Sequence, residues 1–179
     1  MDLFEAIEKR FSYRGRYTGQ PVPRKNLLKI VKAGCCAPSG RNLQTTSFII
    51  VDDEALLEKI RPMNQANKAM QQARAFIACL MDKRPPEEGI HFQIEDCAAA
   101  VQNMLLALTA LGYASVWVDG WLRGEGRAEV IGRLLGVPNE KVIRILLPVG
   151  VPAEPDPSRP KKKALEERAW FNRYGGSGL

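Results

Sequence analysis

Two arginines and a serine near the start of the 179-residue sequence are the first residues whose types and spacing could bind an anion. They are Arg10, Ser12 and Arg14, and in an extended chain alternate side chains project from one face. Two guanidinium groups and a hydroxyl supply forked, permanently charged donors that suit a phosphate group. The alternative is a solvated charged edge, since charged side chains are common on protein surfaces.

A second candidate segment spans residues 37–44 and reads APSGRNLQ. Its proline, serine and glycine predict a turn, and polar side chains follow within a few residues. The candidate ligand-binding residues are Pro38, Ser39, Asn42 and Gln44. Amide side chains both donate and accept hydrogen bonds, which suits a flat heteroaromatic edge with imide-like groups. An ordinary loop with a helix cap at Ser39 is the alternative.

Two further segments could contact a ligand. The first consists of Trp117, Val118, Asp119 and Gly120, at the end of a predicted strand. Gly120 permits close approach to the backbone, so an N–H there could meet a ligand ring atom; the alternative is core aromatics beside a turn. The second is the cluster Lys161, Lys162 and Lys163, which either binds a phosphate or forms a solvated basic tail.

Groups for side-chain catalysis and for metal binding are scarce in this sequence. The single histidine, His91, lies in a polar stretch, and we expect it in a surface loop. The four cysteines lack paired C-x-x-C spacing, and we expect free thiols at Cys35, Cys36, Cys79 and Cys97. No nucleophile-elbow, zinc-protease, Walker A or dinucleotide-binding motif occurs. An enzyme with this sequence would therefore leave the difficult step to an organic cofactor, with no catalytic side chain and no metal.

The composition is that of one globular domain. The chain is 45% hydrophobic and 26% charged, and its length is close to the common size of a single domain. A formal charge of +6 favours an anionic partner and leaves a basic nucleic-acid-binding domain as an alternative function. No apolar run is long enough to span a membrane, and the amino end lacks a signal-peptide pattern, so we expect a cytoplasmic protein.

Alternating helices and strands must position these segments, which indicates an α/β or α+β layered domain. The predicted strands are Ser47–Val51, Ala75–Met81, Ala114–Val118 and Val142–Val149. The predicted helices begin at Asp2, Pro23 and Asp53, and another closes at Gly136. A long helix predicted over Gln93–Leu111 is apolar around most of its surface, which indicates burial against a partner subunit. Residues from about 150 to 179 are predicted to form an extended carboxy-terminal arm.

In their order and spacing, the four segments resemble the nitroreductase family of FMN-dependent oxidoreductases over nearly the whole chain. The resemblance rests on AIEKRFSYRGRY, APSGRNLQ, DCAAAVQNMLLALTALGYASVWVDG, LLGVPNEKV, VGVPAEP and KKKALEERAWFNRYGG. It implies an α+β fold, an α/β sandwich around a central mixed sheet, assembled as an intimate homodimer with two FMN sites at the interface. Residues 1–179 would then form one FMN-binding domain.

By motif position, the resemblance also implies a role for each candidate segment. The Arg-Ser-Arg set of residues 10–14 corresponds to residues that hold the FMN phosphate and ribityl chain. Lys162 corresponds to a basic residue that reaches the same phosphate, and a neighbouring lysine could replace it. The candidates in segment 37–44 correspond to positions that reach or neighbour the flavin from the other subunit. Residues 117–120 correspond to the stretch against one face of the isoalloxazine, with a backbone N–H near N5.

The reaction implied by the resemblance is hydride transfer from NADH or NADPH to flavin N5, followed by two-electron reduction of an electrophile such as a nitroaromatic or a quinone. A dehalogenase, a flavin destructase or an enone reductase would share these motifs, so the acceptor stays open. Thr45 and Thr46 stand where many members carry Pro-Trp, and Trp170 stands where His is frequent. We therefore expect the packing beneath the flavin to differ from the usual pattern.

Overall fold

The computed structural model describes residues 1–83, 91–155 and 160–176. The helices are α1 (Leu3–Lys9), α2 (Arg24–Cys35), α3 (Glu54–Ile60), α4 (Lys68–Gln71), α5 (Gln93–Ala110) and α6 (Arg127–Leu134). The strands are β1 (Ser47–Val51), β2 (Ala75–Asp82) and β3 (Lys141–Val149). Short 3₁₀ turns occur at Gly40–Asn42, Arg61–Met63 and Leu165–Glu167. Three of the four predicted strands are therefore confirmed as strands.

Strand β2 is the centre of the sheet. The strand order is β1-β2-β3, and β2 pairs antiparallel with both neighbours. Residues 75–80 of β2 are buried, as a continuous apolar run predicts. Their even-numbered side chains join one apolar cluster with Tyr13, Tyr17 and α6, and the odd-numbered ones join a second cluster with α2 and α5. The sheet thus separates two apolar layers, and the fold is α+β.

The predicted strand Ala114–Val118 does not form a continuous ladder. It makes two isolated antiparallel bridges, at residue 114 with Gly150 and at residue 118 with Leu146. In this register Val116 would face Pro148, which has no N–H to donate, so the ladder is interrupted between the bridges. Every strand pairing among the described residues is antiparallel, which differs from the predicted mixed sheet.

Local capping signals in the sequence are confirmed. An Asp2 carboxylate oxygen accepts the N–H of residue 5 at 2.9 Å and begins α1, and Asp53 does the same for residue 56 at 3.0 Å before α3. Helix α6 ends before Gly136, whose φ of 67° lies in the left-handed region that glycine adopts without strain. These signals are local in sequence, and tertiary packing did not override them.

Helix α1 is short, although Leu3, Ile7 and Phe11 recur every four residues, as they would on one face of a longer helix. It ends at Lys9, so Phe11 lies in the extended segment that follows. Leu3, Phe4 and Ile7 are 61%, 76% and 47% exposed, and Ala6 is the buried residue of the helix. The apolar face of α1 is therefore not covered by the described part of this chain.

Candidate functional site

The extended segment after α1 is fixed to the protein core through Tyr13. The Tyr13 N–H donates to the Ser115 carbonyl at 2.9 Å. The Tyr13 ring is fully buried and stacks on Tyr17, with the ring centroids 5.4 Å apart. Because side chains alternate along an extended chain, burial of Tyr13 turns Ser12 and Arg14 to the opposite face. The segment therefore presents its polar side chains away from the core.

A cavity of about 430 Å³ lies beside this segment. Arg10 lines it together with Leu105 and Thr109 of α5 and with Ser115. The Ser115 Oγ is buried and has no hydrogen-bond partner among the described residues. An unpaired buried hydroxyl costs about 1–3 kcal/mol, so the site is suited to a polar ligand group. The guanidinium of Arg10 on the same cavity makes an anionic oxygen the fitting group.

The extended run continues from Ser115 to Gly120. Val118 exchanges both backbone hydrogen bonds with Leu146 of β3, at 2.9 and 3.2 Å, which fixes the run against the sheet. At Gly120, no described atom lies within 4 Å of the position that a Cβ would take, so a flat ligand has room there. From Ser115 to Asp119, four residue steps of extended chain span about 13 Å, so the run leads away from the Arg10 cavity over the length of an elongated ligand.

The carboxylate of Asp119 is held by two arginines. Arg123 donates two hydrogen bonds to it, at 2.7 and 2.6 Å, and Arg144 of β3 donates a third. Hydrogen bonding from Arg123 is the main cause that lowers the pKa of Asp119 below its ordinary value, and the charge of Arg144 adds to the effect. One carboxylate and two guanidinium groups leave a local net charge of +1. The Asp119 side chain is thus committed to the protein, and the backbone of this segment is the part open to a ligand.

Segment 37–44 forms a strained turn that packs beside the start of α5. Arg41, Asn42 and Gln44 have φ values of 52°, 57° and 50°, in the left-handed region that non-glycine residues rarely occupy. The Ser39 Oγ accepts the Gln44 N–H at 3.1 Å. A Cβ at Gly40 would lie 2.2 Å from the ring of the residue at position 92, so no side chain fits there. Backbone strain of this kind costs on the order of 1–3 kcal/mol per residue and is typical of ligand-binding sites.

A buried carboxylate holds this turn in place. Asp96, in the first turn of α5, is 7% exposed. Its two oxygens accept the Gly40 N–H at 2.8 Å and the Thr45 hydroxyl at 3.3 Å. Sequence reasoning missed Asp96, because an acidic residue in the first turn of a helix is explained by the helix dipole alone. Sequence reasoning also missed Ser115, whose only signal is its place two residues before a candidate segment.

The candidate segments form two groups at opposite ends of α5. Residues 10–14 and Ser115 lie together, and their cavity includes Leu105 and Thr109 near the end of α5. From Ser115 the chain leads toward the start of α5, where burial, with the added charges of Asp119 and Asp96, raises the pKa of Cys97. Segment 37–44 is held at the start of the helix by Asp96. With a rise of 1.5 Å per residue, these positions are about 14–20 Å apart. Within one chain, residues 10–14 and segment 37–44 are therefore separated by most of the length of α5.

The remaining predicted residues are surface residues or free thiols. Lys161, Lys162 and Lys163 are exposed, and within the described ranges they make no hydrogen bond or ion pair that joins them to either group. His91 is exposed, as predicted. All four cysteines are free, also as predicted; Cys79 and Cys97 are buried, and burial raises the pKa of Cys97 to about 12.

In the described part of the chain, no helix is both long and apolar enough to cross a membrane.

Comparison with known proteins identifies the family. The model of the nitroreductase family matches residues 7–76 and 63–151. A Methanothermobacter thermautotrophicus protein, provisionally named NADH dehydrogenase/NAD(P)H nitroreductase, is 36% identical over 155 residues, which cover 86% of this chain and 79% of that protein. A solved structure from Bacteroides thetaiotaomicron with the same provisional name has a TM-score of 0.81 and 29% identity, over 96% of this chain and 98% of the other. An FMN-dependent nitroreductase from Clostridium difficile has a TM-score of 0.77 and 26% identity, over 96% and 99% of the two chains. This chain belongs to the nitroreductase family.

Proposed function

We propose that this protein is an FMN-dependent NAD(P)H oxidoreductase of the nitroreductase type. The observation that carries the proposal is the pairing of Tyr13 with Ser115, which joins the Arg-Ser-Arg segment to the open backbone at Gly120. When bound, FMN supplies the chemistry: it accepts hydride from NADH or NADPH and passes two electrons to an electrophile such as a nitroaromatic or a quinone. The similar proteins named for NAD(P)H and FMN support the same reading.

The phosphate end of FMN lies against Arg10, Ser12 and Arg14 in this proposal. The Arg14 guanidinium donates to the Ser12 carbonyl at 3.2 Å, which keeps these two residues side by side. Arg10 adds a second fork of donors, and the unpaired Ser115 hydroxyl is available for a phosphate or ribityl oxygen. The exposed cluster Lys161–Lys163 adds positive charge that favours an anionic ligand, without a hydrogen bond or ion pair to residues 10–14 in the part of the chain that the structure describes. Charge-assisted hydrogen bonds of this type are the strongest available to a phosphate.

The ring end of FMN lies along residues 117–120. Val118 is paired with the sheet, so the segment is rigid up to the position where the Gly120 backbone is open. The net charge of +1 from Asp119, Arg123 and Arg144 favours a reduced flavin that carries negative charge. These residues orient and tune the flavin, and no side chain is required to move a proton in the hydride step.

A second copy of the chain completes the site. One chain places segment 37–44 about 14–20 Å from the phosphate-binding residues, and in this proposal Pro38, Ser39, Asn42 and Gln44 reach a flavin that the other copy holds at its phosphate end. The exposed Leu3, Phe4 and Ile7 of α1 supply an apolar face of the kind that marks a subunit interface. A homodimer with two equivalent FMN sites satisfies both observations. The single domain over 1–179 and the cytoplasmic location stay predictions.

Detection of bound flavin tests the proposal directly. Purified protein is expected to be yellow, to release FMN on denaturation, and to lose its visible absorbance when NADH or NADPH is added without oxygen. An exposed-surface variant such as Arg133→Gln should behave identically and serves as the matched control. A colourless protein that cannot be reconstituted with FMN would refute the proposal.

The electron acceptor is identified by comparing the rates at which different compounds reoxidise the reduced protein. Anaerobically reduced protein is mixed with a nitroaromatic, a quinone, an enone and a halogenated phenol, and reoxidation is followed at the flavin band. The proposal predicts fastest reoxidation by the nitroaromatic or the quinone. Faster reoxidation by the halogenated phenol or the enone would keep the cofactor assignment and replace the reaction.

A further inference from the structure

Three arginines line a second cavity, which the proposed flavin site does not use. Its volume is about 480 Å³, and it borders the first cavity at Ala153. Arg16, Arg61 and Arg74 line it, and none of its described lining residues is acidic. Such a volume lies in the range of small-molecule sites. Guanidinium groups that converge on one space repel one another unless an anion or a bound carboxylate compensates them.

Two of the three charges are balanced outside the cavity. Arg61 is held firmly, because its Nε donates to the Ala73 carbonyl at 2.8 Å and its other nitrogens pair with Glu54. Arg16 is exposed and lies 3.7 Å from Glu154, a distance that gives a weak ion pair. The hydrogen bond from Arg61 lowers the pKa of Glu54, and Arg74 lies close enough to that carboxyl for its charge to add to the effect. Three guanidinium groups and the two carboxylates of Glu54 and Glu154 leave an excess charge of +1 at the cavity.

Arg74 is the residue that points to a ligand. Its backbone is fixed by a 2.9 Å hydrogen bond from its N–H to the Val149 carbonyl at the end of β3. Its Nε is buried and has no hydrogen-bond partner within the described ranges. A buried guanidinium N–H without a partner is costly, more so than a neutral donor, because the group carries charge.

A glutamine adds a neutral donor on the same wall. The Gln72 side-chain carbonyl accepts the Tyr17 N–H at 3.2 Å, which fixes the orientation of the amide. The Gln72 amide nitrogen is left as a donor. Gln72 directly follows α4 and Arg74 directly precedes β2, and both border the cavity. Fixed guanidinium forks with a neighbouring amide donor suit tetrahedral oxyanions of the phosphate type.

We propose that this cavity binds a phosphate monoester at a site separate from FMN, with Arg74 as its principal contact and Arg16, Arg61 and Gln72 as supporting donors. The cavity is larger than a phosphate group needs, so the ester's organic part is expected to occupy the remaining space. Inorganic phosphate would use the same donors with less contact. The phosphate monoester and inorganic phosphate would bind through the same donors, and the organic part of the ester would add affinity.

The experiment uses protein saturated with FMN, so that the flavin phosphate contacts are filled. Binding of inorganic phosphate and of adenosine 5′-monophosphate is measured by calorimetry at constant ionic strength. We expect saturable binding of both, tighter for the ester, and a loss of about tenfold or more in Arg74→Gln, since a hydrogen bond to a charged group contributes about 1.5–3 kcal/mol. Arg133→Gln, on the exposed face of α6, should bind as the unchanged protein does.

A second variant serves as a control for a folding defect in Arg74→Gln. Arg16 is 64% exposed, so Arg16→Gln should fold normally and weaken binding by a smaller factor than Arg74→Gln. FMN content should be the same in all variants. Absence of saturable binding for both probes would overturn the proposal, as would equal binding in Arg74→Gln. Loss of FMN from Arg74→Gln would also overturn it, because the arginines would then belong to the flavin site.

Discussion

The two groups of flavin-facing segments are held in place by different means. Residues 10–14 are joined to the sheet through the backbone pairing and the buried ring of Tyr13, so the backbone of this segment does not depend on the side chains of Arg10 and Ser12. Segment 37–44 contains three left-handed non-glycine residues and is held by one buried carboxylate, Asp96. Side-chain changes at Arg10 and Ser12 should therefore affect ligand binding alone. In the second group, a change at the supporting residue should affect folding and binding together.

The largest effect is expected from Asp96→Ala. The variant leaves the Gly40 N–H and the Thr45 hydroxyl without their acceptor, so we expect a loss of about 3 kcal/mol in the free energy of unfolding, together with weak FMN retention. Urea denaturation and FMN titration measure the two effects. Asp96→Asn keeps one acceptor oxygen and should lose about 1 kcal/mol. Unchanged stability in Asp96→Ala would show that the turn holds its strained backbone without the carboxylate.

Arg10→Ala and Ser12→Ala come next. Each removes a proposed phosphate contact from a segment whose backbone stays paired, so we expect FMN affinity to fall by about 10- to 100-fold for Arg10→Ala and about 10-fold for Ser12→Ala. The free energy of unfolding of the FMN-free protein should change by no more than about 0.5 kcal/mol. Quenching of FMN fluorescence gives the affinity. Unchanged affinity in both variants would remove these residues from the site.

Replacement of Arg123 should change the free energy of unfolding by a smaller amount, and this change should depend on pH. The folded-state pKa of Asp119 lies below 3.8, so its ion pairs stabilise the fold above the unfolded-state pKa, and this contribution is lost as the pH falls through the folded-state value. Arg123→Gln should raise the pKa of Asp119 toward 3.8, with Arg144 retaining part of the shift. Carboxyl chemical shifts followed by NMR report the pKa. A stability difference between the two proteins that does not decrease as the pH falls through the folded-state pKa measured by NMR would contradict this cause.

The smallest effects are expected from single changes in Lys161, Lys162 or Lys163. These exposed side chains belong to neither anchored group, and each should alter FMN affinity by less than about threefold, with the effect decreasing as salt is added. Replacement of all three lysines by alanine should lower FMN affinity about tenfold. FMN titrations at low and high salt measure both. A loss in Lys162→Ala as large as that in Arg10→Ala would mean that one lysine makes a dedicated contact.

The sequence predicted those parts of the molecule whose causes are local. The caps at Asp2 and Asp53 and the buried strand β2 follow from short patterns that the tertiary structure preserves. The ladder at Ala114–Val118 could not be predicted, because its interruption depends on Pro148 in another element. The exposed face of α1 has the same kind of cause, since an apolar helix pattern does not reveal what covers it.

The site shows the same division between local and distant causes. The residue types of the phosphate and flavin segments can be recognised in the sequence, but Asp96 gains its role from Gly40, which is 56 positions away in the chain. Arg16, Arg61 and Arg74 come from three separate parts of the sequence and share a cavity only after the sheet has formed. Spacing along a chain carries no information about such contacts.

Mixed dimers test the central claim, that two copies of the chain share each FMN. Arg10→Ala damages the segment that is proposed to bind the FMN phosphate. Asn42→Gly removes a side chain from segment 37–44, and glycine tolerates the φ of 57° at that position. Each variant alone is expected to bind FMN weakly. If each site uses both chains, co-expressed variants that assort at random restore about a quarter of the sites to the unaltered composition, and FMN content should recover to that level. No recovery above the separate variants would mean that one chain holds its own FMN, and it would contradict the account.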